Sequence, residues 1–598
     1  MQRSLWIGLL AAWALAGCGD EELTPDAGPA DAGAPMDAGP ADTGAPDTGR
    51  DAGVEDAGGE DAGGEDAGGE DAFAFDHGVA SGDPLSDRVV LWTRVTPGDE
   101  SVTSVEVGWE IAEDDAFVTV VGSGTVETTT ARDLTVKVDA TGLAAGTRYF
   151  YRFTAGEVVS PVGRTKTLPL GPVDRVRLAI VSCSHYSAGF FNVYRLIANR
   201  SSPTDDLDAV VHLGDYFYEY GAGEYGDNGI AGREPIPPTE VFTLEGYRQR
   251  HAQYKSDLDL QALHQTHPMI PVWDDHESAN DAWTGGAENH TPVEEGEWGV
   301  REQAARQAYE EWMPIRTPDM GGSIFRRFEF GTLATLHMLD TRLEGREEQL
   351  DYTQFVDDQQ GFLTTFNDPD RSLLGMEQEA WLFDGLRNAT TTWQVIGNQV
   401  MMGQLYNPQV PNPTNDPNIA LANMLAMAGD QLAAAGLIPG PGLPFSLDAW
   451  DGYVAARERL FQVLATVRNP VVVTGDFHNA WALELARDAD LRADGAYDPE
   501  TSAGAVAVEF ITSSVTSPGF EGALPDLFLD PILLAIQGKN PHIDYADLRR
   551  RGFLELTLSS SEAQARFVFS PSIAEPSADE LVGRSYTVAA GTKRLVAD

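Results

Sequence analysis

The sequence is poor in cysteine, in basic residues and in long apolar runs. Its 598 residues include only two cysteines, Cys18 and Cys183. Beyond the N-terminal segment, no apolar run approaches the roughly 18 residues that a membrane-spanning helix needs. If this chain is exported, we therefore expect any attachment to a membrane to use something other than a membrane-spanning helix.

Basic residues number 40 against 93 acidic ones, and the net charge is −53. This balance argues against nucleic acid as a partner, because binding a phosphate backbone requires clustered Lys and Arg. It also provides no long-range attraction for an anionic substrate. Any chemistry on an anion would therefore depend on local positive charge, such as metal ions.

The N-terminal segment reads as an export signal. Arg3 is followed by an apolar run over residues 5–16, which has the length of a signal-peptide core rather than of a membrane span. The run ends in "LAGC", so small residues directly precede Cys18, as in a lipobox. We expect residues 1–18 to be a lipoprotein signal and Cys18 to carry the lipid of an exported bacterial lipoprotein, in the periplasm or at the cell surface. The alternative is an ordinary signal peptide with an incidental cysteine.

Residues 19–72 form a low-complexity stretch of Ala, Gly, Pro and acidic residues, with seventeen Asp or Glu and one Arg. Such a composition offers too little apolar surface for folding. We interpret the stretch as a flexible acidic tether that separates the folded part from the membrane.

If Cys18 is lipidated, Cys183 has no disulfide partner within the chain. An exposed free thiol is a liability in an oxidising compartment. Two interpretations are open: Cys183 is buried and inert, or it is a metal ligand or a nucleophile.

The rest of the chain divides into two patterns. Residues 73–168 carry strand-like runs separated by Gly, Asp and Thr, which predicts a small β-sandwich of fibronectin or immunoglobulin type. Residues 175–598 alternate short apolar runs with helical segments, which predicts a layered α/β domain. A segment rich in Pro, Asn and Gly interrupts this pattern near residues 406–447. It is interpreted either as an insertion that acts as a lid or as a plain surface excursion.

Helices are predicted in five segments of the second region. They are 191–200, 244–265, 301–313, 377–389 and 452–468.

Polar side chains follow six of the apolar runs of the predicted α/β domain. They are Cys183; Asp215 and Tyr218; Asp274, Asp275, His276 and Glu277; Asp340 and Arg342; Asn398; and Asp476 and His478. In open α/β sheets, function gathers beyond the carboxyl ends of strands. One Asp after a strand means little, because Asp is a common turn residue. Six such endings predict a shared metal site.

The residue types indicate which metals would suit this site. Asp215 and Tyr218 are three residues apart, so both can reach one point after a strand, and a carboxylate can bridge two cations. Thiolate and phenolate are anionic donors that suit a Lewis-acidic ion such as Fe(III). Asp275, Asn280 and Asp476 are oxygen donors that suit Ca²⁺ or another hard divalent ion. We therefore expect at least two unlike metals.

The sequence has no evident nucleophile motif such as GxSxG, and "ITSSVTSPG" (511–519) is interpreted as a loop. A metal-bound water or hydroxide is therefore the expected nucleophile. His276 would protonate the leaving alkoxide or stabilise the transition state. The alternative is that His276 only orients Asp275 or Glu277.

Nine collinear motifs resemble the PhoD-like family of alkaline phosphatases and phosphodiesterases, which belongs with the calcineurin-like metallophosphoesterases. They are "FDHGVASGDPLSDRVVLWTRV" (75–95), "SCSHYSAGFF" (182–191), "HLGDYFYEYG" (212–221), "WDDHESANDAW" (273–283), "LDTR" (339–342), "LLGMEQEAWL" (373–382), "GNQVMM" (397–402), "WDGYVAARERL" (450–460) and "TGDFHNAW" (474–481). The resemblance implies Fe(III) and Ca(II), with Zn or Mn as alternatives, and hydrolysis of phosphate monoesters or diesters at alkaline pH.

The resemblance also implies roles for single residues. Cys183, Asp215 and Tyr218 resemble iron ligands, and Asp275 stands at the position of a second-metal ligand. His276 matches a phosphate-facing histidine, while Asp476 and His478 fall in the block that supplies further ligands.

Two more residues receive roles by the same resemblance. Asn280 is a calcium-ligand candidate. Arg342 is a phosphate-contact candidate, or pairs only with Asp340. One departure is that "MQRSL" has no twin arginine, which is a common export signal in the family.

The leading hypothesis is thus a lipid-anchored phosphatase of PhoD type that acts on phosphate esters outside the cytoplasm. A phospholipase-like or teichoic-type phosphodiesterase is the alternative within the class. A surface protein that binds a ligand without turnover is the alternative from another class. The intact metal-ligand candidates count against it.

Overall fold

The computed structural model describes residues 72–202, 206–317, 322–410, 412, 417–492 and 495–598. The predicted signal, Cys18 and the acidic tether lie outside the described residues.

The strands of the N-terminal part are β1 (Phe73–Ala74), β2 (Val79–Gly82), β3 (Arg88–Arg94), β4 (Thr96–Pro97), β5 (Ser104–Ala112), β6 (Val120–Thr129), β7 (Thr135–Thr141), β8 (Arg148–Ala155), β9 (Val158–Val159) and β10 (Gly163–Lys166). The later strands are β11 (Arg175–Val181), β12 (Ala209–His212), β13 (Met269–Pro271), β14 (Arg326–Phe330), β15 (Ala334–Met338), β16 (Trp393–Asn398), β17 (Pro470–Thr474), β18 (Ala480–Ala486), β19 (Ala505–Ile511), β20 (Ile543–Asp547), β21 (Arg551–Ser559), β22 (Glu562–Ser570), β23 (Leu581–Ala589) and β24 (Val596–Ala597).

The helices are α1 (Asn192–Ala198), α2 (Leu244–Lys255), α3 (Leu258–Thr266), α4 (Pro292–Glu295), α5 (Trp298–Trp312), α6 (Tyr352–Asp357), α7 (Gln359–Phe366), α8 (Gly375–Arg387), α9 (Pro417–Ala434), α10 (Val454–Leu464), α11 (Phe520–Ala523) and α12 (Asp526–Lys539). All five predicted helical segments contain helix. The predicted helix over 244–265 is two helices, because the side chain of Asp257 accepts hydrogen bonds from the first amides of α3 and starts a new helix there.

Two large mixed sheets form the centre of the molecule. Within the described residues, one has the strand order β24-β23-β22-β21-β11-β12-β13-β2-β3-β7 and the other β14-β15-β16-β17-β19-β18-β20. Strands β11, β12 and β13 run parallel in the first sheet, and β15, β16, β17 and β19 run parallel in the second. The predicted α/β class is confirmed.

The second sheet is buried on both faces, and alternate residues of its strands belong to different cores. Val395 and Val473 pack in the core shared with the first sheet, whereas their neighbours Ile396 and Val472 pack toward α8, α10 and α12. This alternation follows from the period of two along a strand. Because both faces are covered, the strands read as continuous apolar runs rather than as an alternating pattern.

Residues 73–168 supply two packed sheets. The sheet of β5, β6, β8, β9 and β10 shares one hydrophobic core with β3 and β7. Strands β2, β3 and β7 also continue the large first sheet, where Gly82 pairs with Met269. A Cβ at Gly82 would lie 2.2 Å from the carbonyl oxygen of Pro314, so this close approach requires glycine. The N-terminal part thus contributes strands to a sheet of the part that follows.

The segment near 406–447 contains the predicted apolar helix, α9. Leu425 and Leu432 of α9 pack against Phe355, Phe362 and Phe366 of α6 and α7 in a small core of their own. None of the helices in the described parts of the chain combines the length and apolar character of a membrane span.

Candidate metal centre

The functional side chains gather where parallel strands of the two sheets end. Cys183 follows β11, Asp215 follows β12, and Asp274 and Asp275 follow β13. Asp476 and His478 follow β17 of the second sheet. Because parallel strands present their carboxyl ends at one edge, the two sheets bring these residues together.

Four of these residues adopt a left-handed backbone conformation. The φ angles are 62° at Cys183, 52° at Asp215, 56° at Asp476 and 57° at His478. Such a conformation costs a residue with a side chain on the order of 1–3 kcal/mol and persists only where surrounding contacts enforce it. Here the Cys183 amide donates to the Gly214 carbonyl over 3.1 Å, which links the two loops. The strain clusters at the predicted site.

Three overlapping groups of side chains are placed to hold cations, with donor atoms within 4.8 Å of one another in each group. The groups are Cys183, Asp215 and His478; Asp215, Asp275 and His276; and Asp215, Asp274, Asp275 and Asp476. Asp215 belongs to all three, which is the arrangement expected of a bridging carboxylate.

The buried carboxylates of the centre would be stabilised by nearby positive charge. Burial raises the pKa of Asp215 and of Asp476 well above the ordinary value, and neighbouring carboxylates raise it further. Asp215 Oδ1, Asp274 Oδ2 and Asp275 Oδ1 are buried without a hydrogen-bond partner. Since buried acceptors are almost always satisfied, these oxygens fit cation ligands, and the residues present suit the metals that the sequence predicts.

Cys183 is both buried and aimed at the centre. It is 0% exposed, and its Sγ lies 3.1 Å from Ser182 Oγ. Burial and the nearby Asp215 carboxylate raise the pKa of the thiol. A cation at the same place would favour the thiolate, as the hydrogen bond with Ser182 does, and burial by itself fits both interpretations of this cysteine.

Tyr218 joins the first group through its hydroxyl. It donates to Asp215 Oδ2 over 3.1 Å and lies 3.1 Å from His478 Nε2. Ser517 Oγ lies 2.7 Å from the same hydroxyl oxygen. Ser517 was missed from the sequence, because its segment carries no motif beyond a run of serines.

The tautomer of His478 follows from its contacts. Its Nδ1 lies 2.7 Å from the Pro518 carbonyl oxygen, which only accepts, so Nδ1 carries the proton. The hydroxyl of Tyr225 lies 3.1 Å from the same nitrogen. Nε2 is therefore unprotonated and free to bind a cation. Tyr225 is a second residue that the sequence did not reveal.

His276 is held by Glu219 rather than by Asp275 or Glu277. Its Nδ1–H donates to Glu219 Oε2 over 2.7 Å, so Nε2 is the nitrogen left for the centre. Burial alone lowers the pKa of His276, but the Glu219, Asp275 and Asp215 carboxylates raise it well above its ordinary value. Glu277 instead organises the backbone, because its carboxylate accepts from the amides of Asp215, Tyr216 and Asp274.

The Arg342 side chain contacts the carboxylates of the centre. Its guanidinium is 0% exposed and donates to Asp274 over 2.5 Å and to Asp448 over 2.8 Å. Its Nη2 lies 3.5 Å from Asp275 and 3.6 Å from Asp476. Its backbone amide donates to Asp340 over 3.0 Å. Arg342 is therefore a counter-ion of these carboxylates, and its role as a phosphate contact stays a prediction.

Asn280 lines the cavity together with Asp275. Its side-chain amide donates to Glu288 Oε2 over 3.3 Å, and its backbone amide to Glu219 Oε1 over 2.8 Å. Asn398, by contrast, is structural, since its Oδ1 accepts from the Trp450 indole over 3.0 Å.

The fold and the centre define an α/β protein with a buried cluster of carboxylates, thiol, phenol and imidazole at the joint edge of two sheets. Residues 178–567 match the PhoD-like phosphatase family, and residues 63–169 match its N-terminal domain. The chain belongs to the PhoD-like phosphatase family. This confirms the resemblance noted in the motifs and, at the level of the family, the prediction of a phosphoric ester hydrolase.

Two relatives are similar to this chain over most of its length. Alkaline phosphatase D of Bacillus subtilis (strain 168) is 35% identical over 521 residues, which span 85% of this chain and 79% of the relative. A solved structure of PhoD is 32% identical with a TM-score of 0.71, covering 88% of this chain and 92% of that one.

Proposed function

We propose that this chain is an alkaline phosphatase or phosphodiesterase of PhoD type that uses at least two cations. The observation that carries the proposal is the sharing of Asp215 by three groups of donors. Adjacent cations joined by one carboxylate can hold one phosphoryl group between them.

The donor sets favour two kinds of cation. Cys183, Tyr218 and His478 surround one side of Asp215 and suit Fe(III). The other side is all carboxylate and suits Ca²⁺. When bound, these cations supply an acidified water for attack and neutralise charge on the phosphoryl oxygens.

The protein's own groups fill the remaining roles. His276 faces the centre with Nε2, and Glu219 keeps its other nitrogen protonated and its ring oriented. A protonated His276 would donate its Nε2 proton to the leaving oxygen. Arg342 offsets the negative charge of Asp274 and Asp448 next to the reaction.

The architecture and the location are parts of the same proposal. Two face-to-face sheets flanked by helices are the layering of a metallophosphoesterase, preceded here by a β-sandwich of fibronectin or immunoglobulin type. We propose that the protein is an exported lipoprotein, held through Cys18 alone, and that it binds a phosphate ester and no nucleic acid.

The first test is metal content by mass spectrometry on the protein purified without chelators, beside Cys183→Ser. We expect iron near one per chain with calcium in excess of it, and loss of iron in the variant. Cys18→Ser is the matched control. This variant should keep its metals and its activity, but the protein should no longer be found in the membrane fraction. Zinc or manganese, unchanged in Cys183→Ser, would contradict the iron assignment, and a metal-free wild type would overturn the mechanism.

A second test compares hydrolysis of p-nitrophenyl phosphate and bis(p-nitrophenyl) phosphate. Turnover of either substrate that is lost on chelation supports a metal-dependent phosphoesterase, and their ratio separates a monoesterase from a phosphodiesterase. Binding of phosphate without turnover of either ester would instead indicate a non-catalytic surface protein.

A further inference from the structure

The cavity in front of the metal centre has an aromatic wall that none of the roles above uses. Phe477 and Phe520 line it together with His276 and Asp476. We propose that this wall binds the alcohol part of the substrate and selects phosphate esters of apolar or aromatic alcohols. The inference rests on the proposed phosphoesterase function and names its substrate class.

The wall is a packed unit. The Phe520 ring stacks on Phe445 with centroids 6.0 Å apart and an interplanar angle of 18°. The Phe477 ring lies 6.3 Å from Phe520 and 5.5 Å from Trp481. Aromatic rings held in this way bind a flat or apolar group at little cost in conformational entropy.

The wall is connected to the candidate metal ligands through the chain and through a hydrogen bond. Phe477 stands between Asp476 and His478 in the chain, so its position follows theirs. The Phe520 amide donates over 3.1 Å to Oδ1 of Asn479, the residue after His478. A group bound at the centre therefore meets both rings in a fixed geometry.

Aromatic side chains line the cavity on the imidazole side as well. Tyr220 and Tyr225 have ring centroids 5.3 Å and 6.3 Å from that of His276. A leaving group near His276 would therefore meet the Tyr220 and Tyr225 rings, beside polar residues of the lining such as Asn280 and Ser446.

The test compares phenyl phosphate with glycerol 2-phosphate in wild type, Phe477→Ala and Phe520→Ala. We expect each variant to lower kcat/KM for phenyl phosphate about fivefold to tenfold, mainly through KM, and for glycerol 2-phosphate less than twofold. Phe528→Ala is the control, since this α12 residue packs in the same core as Phe520 without lining the cavity. An equal loss on both substrates would overturn the inference.

Binding is measured separately, in case Phe520→Ala disturbs folding. Calorimetry compares the binding of phenylphosphonate and methylphosphonate by the wild type, Phe477→Ala and Phe520→Leu. The two variants should bind phenylphosphonate more weakly than the wild type does and should bind methylphosphonate equally well. Unchanged binding of phenylphosphonate would overturn the inference even if both esters are still hydrolysed. Absence of hydrolysis of every ester by the wild type would instead overturn the proposed function.

Discussion

Glu219 and His276 form a buried pair in which a carboxylate oxygen and Nδ1 lie 2.7 Å apart. Glu219 is itself fixed, because its other oxygen accepts from the Asn280 amide over 2.8 Å and from Asn289 Nδ2 over 3.1 Å. The pair sets both the orientation and the protonation of the imidazole at the metal centre.

Replacing Glu219 with Gln is expected to lower kcat about 10–100-fold with little change in KM. The amide keeps the hydrogen-bonding shape but removes the charge that raises the pKa of His276. The alkaline limb of the kcat–pH profile should therefore move to lower pH. The surface variant Glu245→Gln serves as the control, and an unchanged pH profile in Glu219→Gln would show that Glu219 has only a packing role.

Tyr218→Phe is expected to lose iron and most activity, because its hydroxyl touches Asp215, His478 and Ser517 in the first donor group. Metal content and visible absorption report the loss, since a phenolate bound to Fe(III) absorbs visible light. Tyr225→Phe is the matched control, because the hydroxyl that it removes contacts the protonated nitrogen of His478 and the Pro518 carbonyl. Iron retained in Tyr218→Phe would remove Tyr218 from the ligand set.

Removing the metals is expected to destabilise the protein more at pH 8 than at pH 6. In the metal-free fold, burial raises the pKa of Asp215 and Asp476, and that of Asp274 to about 7. Groups with a raised folded pKa favour folding below their ordinary pKa near 3.8 and lose that contribution as the pH rises through the folded value.

The measurement is the thermal midpoint of metal-loaded and metal-depleted protein at each pH. The difference between the two forms should widen with pH. A constant difference would mean that the carboxylates are compensated without cations.

Lys255→Met is expected to stabilise the protein at pH 7. The Lys255 ammonium is buried against Tyr216 Oη at 3.1 Å, His264 Nε2 at 3.2 Å and the Trp92 ring. Burial lowers its pKa well below 10.5, so folding releases a proton and stability falls as the pH decreases from 10.5. Methionine has no proton to lose on burial, so the free energy of unfolding no longer includes this penalty. The Tyr216–His264 hydrogen bond of 2.8 Å is retained.

The advantage of the Met variant should shrink as the pH rises, by up to about 1.4 kcal/mol per pH unit. Urea unfolding of both proteins at several pH values measures it. Lys539→Met, which removes an ion pair with Asp430, is the control for the loss of a lysine at another site. An advantage of Lys255→Met that does not vary with pH would show that Lys255 stays charged in the folded protein.

The sequence alone predicts the fold class, five helical segments, the family and a common site. Period and composition predict the α/β class and the five helical segments, because burial on one or two faces leaves a pattern along the chain. The order of motifs identifies the family. The strand-end positions of Cys183, Asp215, Asp275, Asp476 and His478 predict a common site, since parallel strands must end at one edge.

The tertiary structure decided what depends on contacts between distant segments. Strand pairing joined β2 to β13, so strands of the N-terminal part continue the first large sheet. The packing of loops made Glu219 the partner of His276, brought Ser517 to Tyr218, and turned Arg342 inward to Asp274 and Asp448. Hydrogen bonds and charge pairs act over a few ångströms in space, whereas these partners lie 57 to 299 residues apart along the chain, so no local pattern records them.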